Sequence, residues 1–172
     1  MNSRLITRQT TGIPGLDQVL GGGLPSNRLY VTEGAPGSGK TTLALQFLLE
    51  GLRQGQKCLY VTLSETLDEL TDVAQSHGWT LDGLALLELD GDSERLQEEA
   101  DYTVYYASDV ELGETLRRIR AEVERVNPDR VALDSLSELK VMSLTSVRYR
   151  REILGLKQYF AGRNAPSSSW MT

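Results

Sequence analysis

Residues 31–42 read VTEGAPGSGKTT, and this stretch constrains the fold of the chain more than any other. Four of its residues match the pattern G-x-x-x-x-G-K-[ST], in which a glycine-rich loop wraps a phosphate group: Gly34, Gly39, Lys40 and Thr41. A short apolar run (28–33) precedes the loop, and the run TTLALQFLLEGL, with apolar residues at helical spacing, follows it. A strand, a glycine loop and a helix in this order predict a phosphate-binding site rather than a turn that merely caps a helix.

The chemistry of such a loop assigns a role to each of its parts. Glycines let successive N–H groups point inward around an anion, and the N-terminus of the following helix adds partial positive charge. Lys40 is predicted to reach the β- and γ-phosphates, and the Thr41 hydroxyl to ligate Mg²⁺. The predicted nucleotide-binding residues are Gly34, Ala35, Pro36, Gly37, Ser38, Gly39, Lys40, Thr41 and Thr42.

The length and composition of the chain suit a single domain. We expect the 172 residues to form one unit, 1–172, with its single cysteine, Cys58, buried as a small apolar side chain. No apolar stretch is long enough to span a membrane, and the N-terminus MNSRLITRQT has no signal-peptide core. These features predict a cytoplasmic protein that does not associate with membranes.

The net charge of −6 is concentrated in the middle of the chain. Residues 64–126 contain 5 Lys/Arg and 17 Asp/Glu, including the acidic run 88–101, which we interpret as a solvated surface. Such a surface repels a phosphate backbone. Nucleic acid is therefore not an expected partner.

Strand-like and helix-like patterns alternate along the chain. The predicted strands are 28–33, 57–63, 84–89 and 130–134, and the predicted helices follow the glycine loop and cover 65–78, 110–126 and 146–160. The only histidine, His77, is expected to close the second helix together with Gly78. The alternation predicts an α/β fold: a largely parallel sheet with helices on both faces.

Three acids end or closely follow predicted strands, at the sheet edge where ligands bind: Glu33, Glu65 and Asp134. Asp134 is predicted to hold Mg²⁺, usually through water, although it could instead cap a turn with Ser135. Glu65 could orient or deprotonate an attacking water, or stabilise a helix N-terminus. Glu138, on the predicted loop after Asp134, is a weaker candidate.

Arg148, Arg150 and Arg151 cluster near the start of the last predicted helix, where the helix dipole disfavours cations. An anion or an acidic neighbouring subunit could compensate them. The simpler alternative is a solvated basic turn.

Taken together, the motifs resemble the KaiC-like branch of the RecA superfamily of ATPases. The resemblance covers roughly residues 8–164 and rests on motifs in family order: TTGIPGLDQVLGGGLPSNRLY, EGAPGSGKTTLALQFLLEG, YVTLSET, SHGW and VALDSLSEL. It implies a RecA-like P-loop NTPase fold, binding of ATP and Mg²⁺, hydrolysis in which Lys40 and Glu65 are catalytic, and homo-oligomeric rings with nucleotide between subunits. Protein signalling partners are compatible with this family.

One departure from the family concerns the acids of the catalytic strand. The family usually has adjacent glutamates where this chain has Ser64-Glu65. The resemblance therefore implies slow or differently organised hydrolysis, and leaves open a nucleotide-binding interaction module that does not hydrolyse. A DNA-directed motor of the RecA or helicase type is a further alternative.

A second departure concerns the C-terminal residues, APSSSWMT (165–172), where the architecture calls for a buried strand. Restoring one base before the serine codons gives a small residue, four apolar residues and Asp-Asp, which suggests that residues 165–172 are a frameshifted tail of a longer protein. The alternative is a natural disordered tail. Sequencing the source DNA from the Asn164 codon onward would test this. We accordingly expect the sheet to lack its C-terminal strands and the chain to be poorly stable, unless the sheet is patched.

Overall fold

The computed structural model describes residues 7–89, 104–143, 145–162 and 168–171. The strands are β1 (Arg8–Gln9), β2 (Leu24–Pro25), β3 (Leu29–Val31), β4 (Cys58–Thr62), β5 (Ala85–Glu88), β6 (Arg130–Asp134) and β7 (Ser168–Met171). The helices are α1 (Pro14–Val19), α2 (Lys40–Arg53), α3 (Leu67–Ser76), α4 (Val104–Val126), α5 (Leu136–Met142) and α6 (Ser146–Gly162). The acidic run 88–101 lies mostly outside the described residues.

Five strands form one parallel sheet in the order β3-β7-β6-β4-β5. The short strands β1 and β2 pair separately and antiparallel. In the register between β4 and β6, Thr62 lies opposite Asp134, so both strands end at the same edge. The predicted α/β fold with a largely parallel sheet is confirmed.

Helices cover the sheet on both faces because successive side chains of a strand point in opposite directions. Leu59 and Val61 of β4 belong to a buried cluster with α4, α5 and α6. Cys58 and Tyr60 belong to a second cluster, on the α2 and α3 side. Burial raises the pKa of the Cys58 thiol to about 12, so it remains a neutral, buried side chain.

The C-terminal residues 168–171 form a strand inside the sheet. β7 lies between β3 and β6 and pairs with both in parallel, with Trp170 opposite Tyr30 and Ala132. Ladder hydrogen bonds use backbone groups, which a serine-rich segment supplies as well as an apolar one. β7 therefore patches the sheet, as the alternative of a patched sheet allows, while the frameshift hypothesis and the expected poor stability stay predictions.

Other differences concern the segments beside the strands. The loop predicted after Asp134 is helix α5, and Glu138 lies in its first turn. α4 begins several residues before the predicted boundary at 110. His77 is the C-cap residue of α3, and Gly78 follows with a φ of 70°, as the helix-closing pattern predicts.

Arg130, to which the sequence pattern assigns no role, is fully buried at the start of β6. Its guanidinium donates to the carbonyl oxygens of Thr10 and Phe47, at 2.6 and 2.8 Å, and to Gln56 Oε1 at 2.6 Å. It also lies over the Phe47 ring, 4.6 Å from the centroid. Arg130 thereby joins the N-terminal segment and α2 to the strand that ends at Asp134.

Candidate functional site

The glycine loop connects β3 to α2 in a conformation that requires its glycines. Gly37 and Gly39 have φ angles of 77° and 87°, and Gly39 is the N-cap residue of α2. These angles favour glycine because it lacks a Cβ. At Gly34 a Cβ would meet the Ser38 hydroxyl, which would have to move away. The loop is therefore tight at Gly34 and left-handed at two further positions, as a phosphate cradle requires.

Lys40 is the first residue of α2, and its ammonium group folds back over the loop. Its Nζ donates to the carbonyl oxygens of Gly34 and Ala35, at 3.1 and 3.2 Å. The ammonium group thus lies beside the loop at the N-terminus of a 14-residue helix. Both the cation and the helix terminus favour an anion at this position.

Thr41 and Asp134 are in direct contact. The Thr41 hydroxyl donates to Asp134 Oδ2 at 2.8 Å, although one residue begins a helix and the other ends a strand. Asp134 is only 5% exposed. The structure therefore places the two predicted Mg²⁺ ligands side by side.

Glu65 lies just before α3, and its backbone is held by Thr62. The Thr62 hydroxyl donates to the Glu65 carbonyl oxygen at 2.6 Å and accepts from the Glu65 N–H at 3.0 Å. The α3 N-terminus is capped reciprocally by Thr66 and Glu69. Glu65 is therefore not needed as the cap of that helix.

The Glu65 carboxylate lies close to the other two site residues. Its Oε1 is 3.5 Å from the Thr41 hydroxyl oxygen, and its Oε2 is buried without a hydrogen-bond partner. Burial, followed by the charge of Asp134, raises the pKa of Glu65, while Thr41 and Lys40 oppose the shift. An under-solvated carboxylate with a raised pKa suits a proton acceptor.

Tyr60 is part of this cluster, and the sequence analysis missed it. Its hydroxyl donates to Asp134 Oδ2 at 2.7 Å, and the residue is fully buried in β4. Burial and the adjacent Asp134 charge raise the pKa of Tyr60 well above its usual range. The available signal was a tyrosine within a buried strand, because a buried phenol needs a polar partner.

The remaining predicted residues lie around this cluster. The Thr42 hydroxyl is 3.5 Å from His77 Nε2, and the His77 ring stacks on Trp79 with centroids 4.7 Å apart. Glu33 is exposed, and its charge adds to burial in raising the pKa of Tyr149 in α6. These contacts give neither His77 nor Glu33 a place beside Asp134.

The three clustered arginines lie at the start of α6. Arg148 is half-buried, whereas Arg150 and Arg151 are exposed, and Arg151 Nε lies 3.4 Å from Glu152 Oε1. The structure thus leaves both interpretations of the cluster open.

The residues at the loop fit a magnesium ion that arrives with a nucleotide. Mg²⁺ is usually bound through one or two carboxylates together with substrate phosphates, and it retains several waters. Thr41 and Asp134 supply a hydroxyl and a carboxylate in contact, and the unpartnered Glu65 Oε2 is a further acceptor nearby. Among the described residues no group of three or more His, Cys, Asp or Glu could hold a metal alone.

A glycine loop between a parallel strand and a helix, with its threonine against a strand-end aspartate, defines a P-loop nucleotide-binding domain. A family model described as "ATPase: KaiC" matches residues 9–167. The chain belongs to this KaiC-type ATPase family, and the predicted resemblance is confirmed.

Curated relatives include proteins of two kinds. A UPF0273 protein of Methanopyrus kandleri is 32% identical over 168 residues, covering 94% of this chain and 66% of the relative. A UPF0273 protein of Thermotoga maritima is 32% identical over 171 residues, covering 95% and 69%. The circadian clock oscillator protein KaiC of Picosynechococcus is 28% identical over 152 residues, covering 88% and 27%. The chain thus spans about two thirds of the UPF0273 relatives and about a quarter of KaiC.

None of the helices in the described part is long and apolar enough to cross a membrane.

Proposed function

We propose that the chain binds ATP with Mg²⁺ at loop residues 34–42 and hydrolyses it to ADP and phosphate. The observation that carries this proposal is the convergence of three side chains from separate elements beside the loop. The Thr41 hydroxyl oxygen is 2.8 Å from Asp134 Oδ2 and 3.5 Å from Glu65 Oε1. Family membership supports it, since the matching family model describes an ATPase.

The loop and Lys40 bind the phosphates. Inward-facing N–H groups of the loop and the N-terminus of α2 stabilise the negative charge, with glycines at positions where a Cβ would obstruct or strain the backbone. Lys40 exchanges its contacts with the Gly34 and Ala35 carbonyls for phosphate oxygens. Thr41 and Asp134 hold the ion, directly or through water.

Glu65 accepts the proton of the attacking water. A bound Mg²⁺ supplies charge neutralisation of the phosphate oxygens. The water oxygen forms a bond to the γ-phosphorus, the bond to the β,γ-bridging oxygen breaks, and the water proton moves to a Glu65 oxygen. ADP leaves with the electron pair of the broken bond. Because Ser64 occupies the position of the first family glutamate, we expect slow turnover.

A second candidate function is a nucleotide-binding interaction module without hydrolysis. Exposed Ser64, which supplies no carboxylate beside Glu65, is the observation that favours it. A DNA-directed motor is the weaker alternative, because the net charge of −6 opposes a phosphate backbone. DNA-stimulated hydrolysis would revive it.

We also propose that the full-length protein assembles into homo-oligomers with nucleotide between subunits. The support is the family resemblance. Sedimentation velocity with and without Mg-ATP tests it, and we expect the sedimentation coefficient to rise with nucleotide.

The test of the function combines nucleotide binding with phosphate release. We expect Mg-dependent binding of a fluorescent ATP analogue and slow phosphate release from ATP. Lys40→Ala should weaken binding by about 10-fold or more, since it removes a charge-assisted contact. The exposed Lys57→Ala is the matched control, and it should leave binding unchanged.

Glu65→Gln separates the two leading functions. It should retain binding and lower phosphate release by about 10²-fold or more, because general base catalysis contributes at least that much. Binding without turnover in both wild type and Glu65→Gln would favour the interaction module. No binding by the wild type would overturn the proposal.

A further inference from the structure

We propose that Tyr60 is a positioning residue for the metal site: its hydroxyl fixes the carboxylate of Asp134 in the orientation that receives Mg²⁺ with a nucleotide. The inference rests on the proposed Mg-nucleotide function and deepens it. The Tyr60 and Thr41 hydroxyls both contact Asp134 Oδ2, and they also lie close enough to each other to interact. Tyr60 acts through Asp134, and Asp134 is the residue that faces Thr41.

Strand register places the Tyr60 hydroxyl at Asp134. In the parallel ladder Tyr60 lies opposite Ala132, and Thr62 lies opposite Asp134, so Tyr60 is two residues short of the aspartate. The small Ala132 side chain leaves room on this face, where Tyr60 and Ala132 share one buried cluster. The long phenol spans the remaining distance and brings its hydroxyl to 2.7 Å from Asp134 Oδ2.

The two donors to Asp134 Oδ2 have different relations to the site. Thr41 belongs to the loop, and its hydroxyl oxygen is the predicted metal ligand, so its position depends on the bound nucleotide. Tyr60 belongs to β4 and is fully buried in the cluster on the α2 side, so the packing of the core fixes the position of its ring. It is therefore the donor that keeps the same contact whether the loop is empty or filled. Hydrogen bonds of this kind orient metal-binding carboxylates and tune their affinity.

The hydroxyl is not required merely to fill the core. A phenylalanine would supply the same ring to the buried cluster, and neighbouring positions of β4 and β6 on that face are Cys58 and Ala132. The oxygen of Tyr60 has a specific partner, and that partner is a carboxylate at the ligand edge of the sheet. The substitution Tyr60→Phe therefore isolates the contact.

The test measures how much Mg²⁺ strengthens nucleotide binding, a quantity that does not require turnover. Dissociation constants of a fluorescent ATP analogue are measured with Mg²⁺ and with EDTA for wild type, Tyr60→Phe and a control, Tyr159→Phe. Tyr159 donates its hydroxyl to the Arg120 carbonyl on the other face of the sheet. The strengthening by Mg²⁺ is the dissociation constant in EDTA divided by the dissociation constant in Mg²⁺, and we expect Tyr60→Phe to reduce this ratio by about 10-fold. The control should leave it within about twofold.

Each outcome decides between the hypotheses. An unchanged ratio in Tyr60→Phe, with normal Mg-dependent binding by the wild type, overturns the positioning role alone. Equal weakening with Mg²⁺ and with EDTA also overturns it, because that pattern indicates a general structural effect. If the wild type binds no nucleotide, or binds it without any effect of Mg²⁺, the proposed function fails and the inference fails with it. A thermal unfolding curve for each variant verifies that the compared proteins are folded.

Discussion

The hydroxyl oxygen of Thr41 lies 2.8 Å from Asp134 Oδ2, although 93 positions separate the two residues in the sequence. The contact forms because α2 starts, and β6 ends, at the same edge of the parallel sheet. Asp134 is buried, so the contact also satisfies a carboxylate that solvent hardly reaches. One hydrogen bond thereby connects the phosphate loop to the sheet.

Replacing Thr41 should weaken the metal-dependent part of nucleotide binding. Thr41→Ala removes the hydroxyl that is a predicted Mg²⁺ ligand, and we expect a loss of about 10-fold or more in the strengthening by Mg²⁺. Thr41→Ser retains the hydroxyl and should stay near wild type. Titrations of a fluorescent ATP analogue with Mg²⁺ and with EDTA provide the measurement. Equal behaviour of the two variants would contradict a role for the hydroxyl.

The raised pKa of Glu65 predicts a pH-dependent effect on stability. A carboxyl whose folded-state pKa exceeds its ordinary value, about 4.3, stabilises the fold below that value. The contribution is lost as the pH rises through the raised pKa. Glutamine stays neutral at every pH, so Glu65→Gln should gain stability relative to wild type as the pH rises.

Thermal unfolding without nucleotide, in EDTA, from about pH 4 to about pH 8 measures this effect. The difference in Tm, variant minus wild type, should increase with pH and then level off above the raised pKa. Glu124→Gln, at an exposed position of α4, is the control and should show no such trend. A pH-independent difference for Glu65→Gln would show that the carboxylate is well solvated.

Loss of Arg130 should destabilise the fold without touching the phosphate loop. Arg130→Met keeps much of the side-chain volume but removes the hydrogen bonds from the buried guanidinium to the Thr10 carbonyl and to Gln56 Oε1. Hydrogen bonds from a charged donor contribute about 1.5–3 kcal/mol each, so we expect the free energy of unfolding in urea to fall by about 3 kcal/mol or more.

An exposed arginine provides the control, because its replacement removes the same positive charge without disturbing buried contacts. Arg125 is 70% exposed and pairs with Glu122 on the same helix, so Arg125→Met should leave the free energy of unfolding nearly unchanged. Limited proteolysis of Arg130→Met should also cleave the N-terminal segment near Thr10 faster than in wild type. Equal free energies of unfolding for Arg130→Met and Arg125→Met would contradict a role for Arg130 in joining the N-terminal segment and α2 to β6.

The pairing of β7 predicts that a proline within it is poorly tolerated. Trp170→Pro removes a backbone N–H from a strand paired on both sides, whereas Trp170→Ala keeps that group. We expect the proline variant to be about 1–3 kcal/mol less stable than the alanine variant in thermal or urea unfolding. Equal stabilities would indicate that residues 168–171 do not complete the sheet in solution.

Local patterns in the sequence determined the parts of this protein that depend on neighbouring residues. The glycine loop, the start of α2 and the strand ending at Asp134 follow from residue spacing, because turns, helix starts and buried strands are set over a few positions. The same patterns predicted the parallel sheet and named Lys40, Thr41, Glu65 and Asp134 as site residues, roles that stay predictions.

Tertiary structure alone decided which distant residues meet. The register of β4 against β6 brings Tyr60 to Asp134, and the burial of Arg130 depends on carbonyl groups from two other segments. β7 pairs with β3 and β6 through backbone groups, which every non-proline residue carries. Its sequence has no apolar pattern from which this strand could be predicted. Such contacts follow from strand register and packing over long sequence separations, and periodicity within one segment carries no information about them.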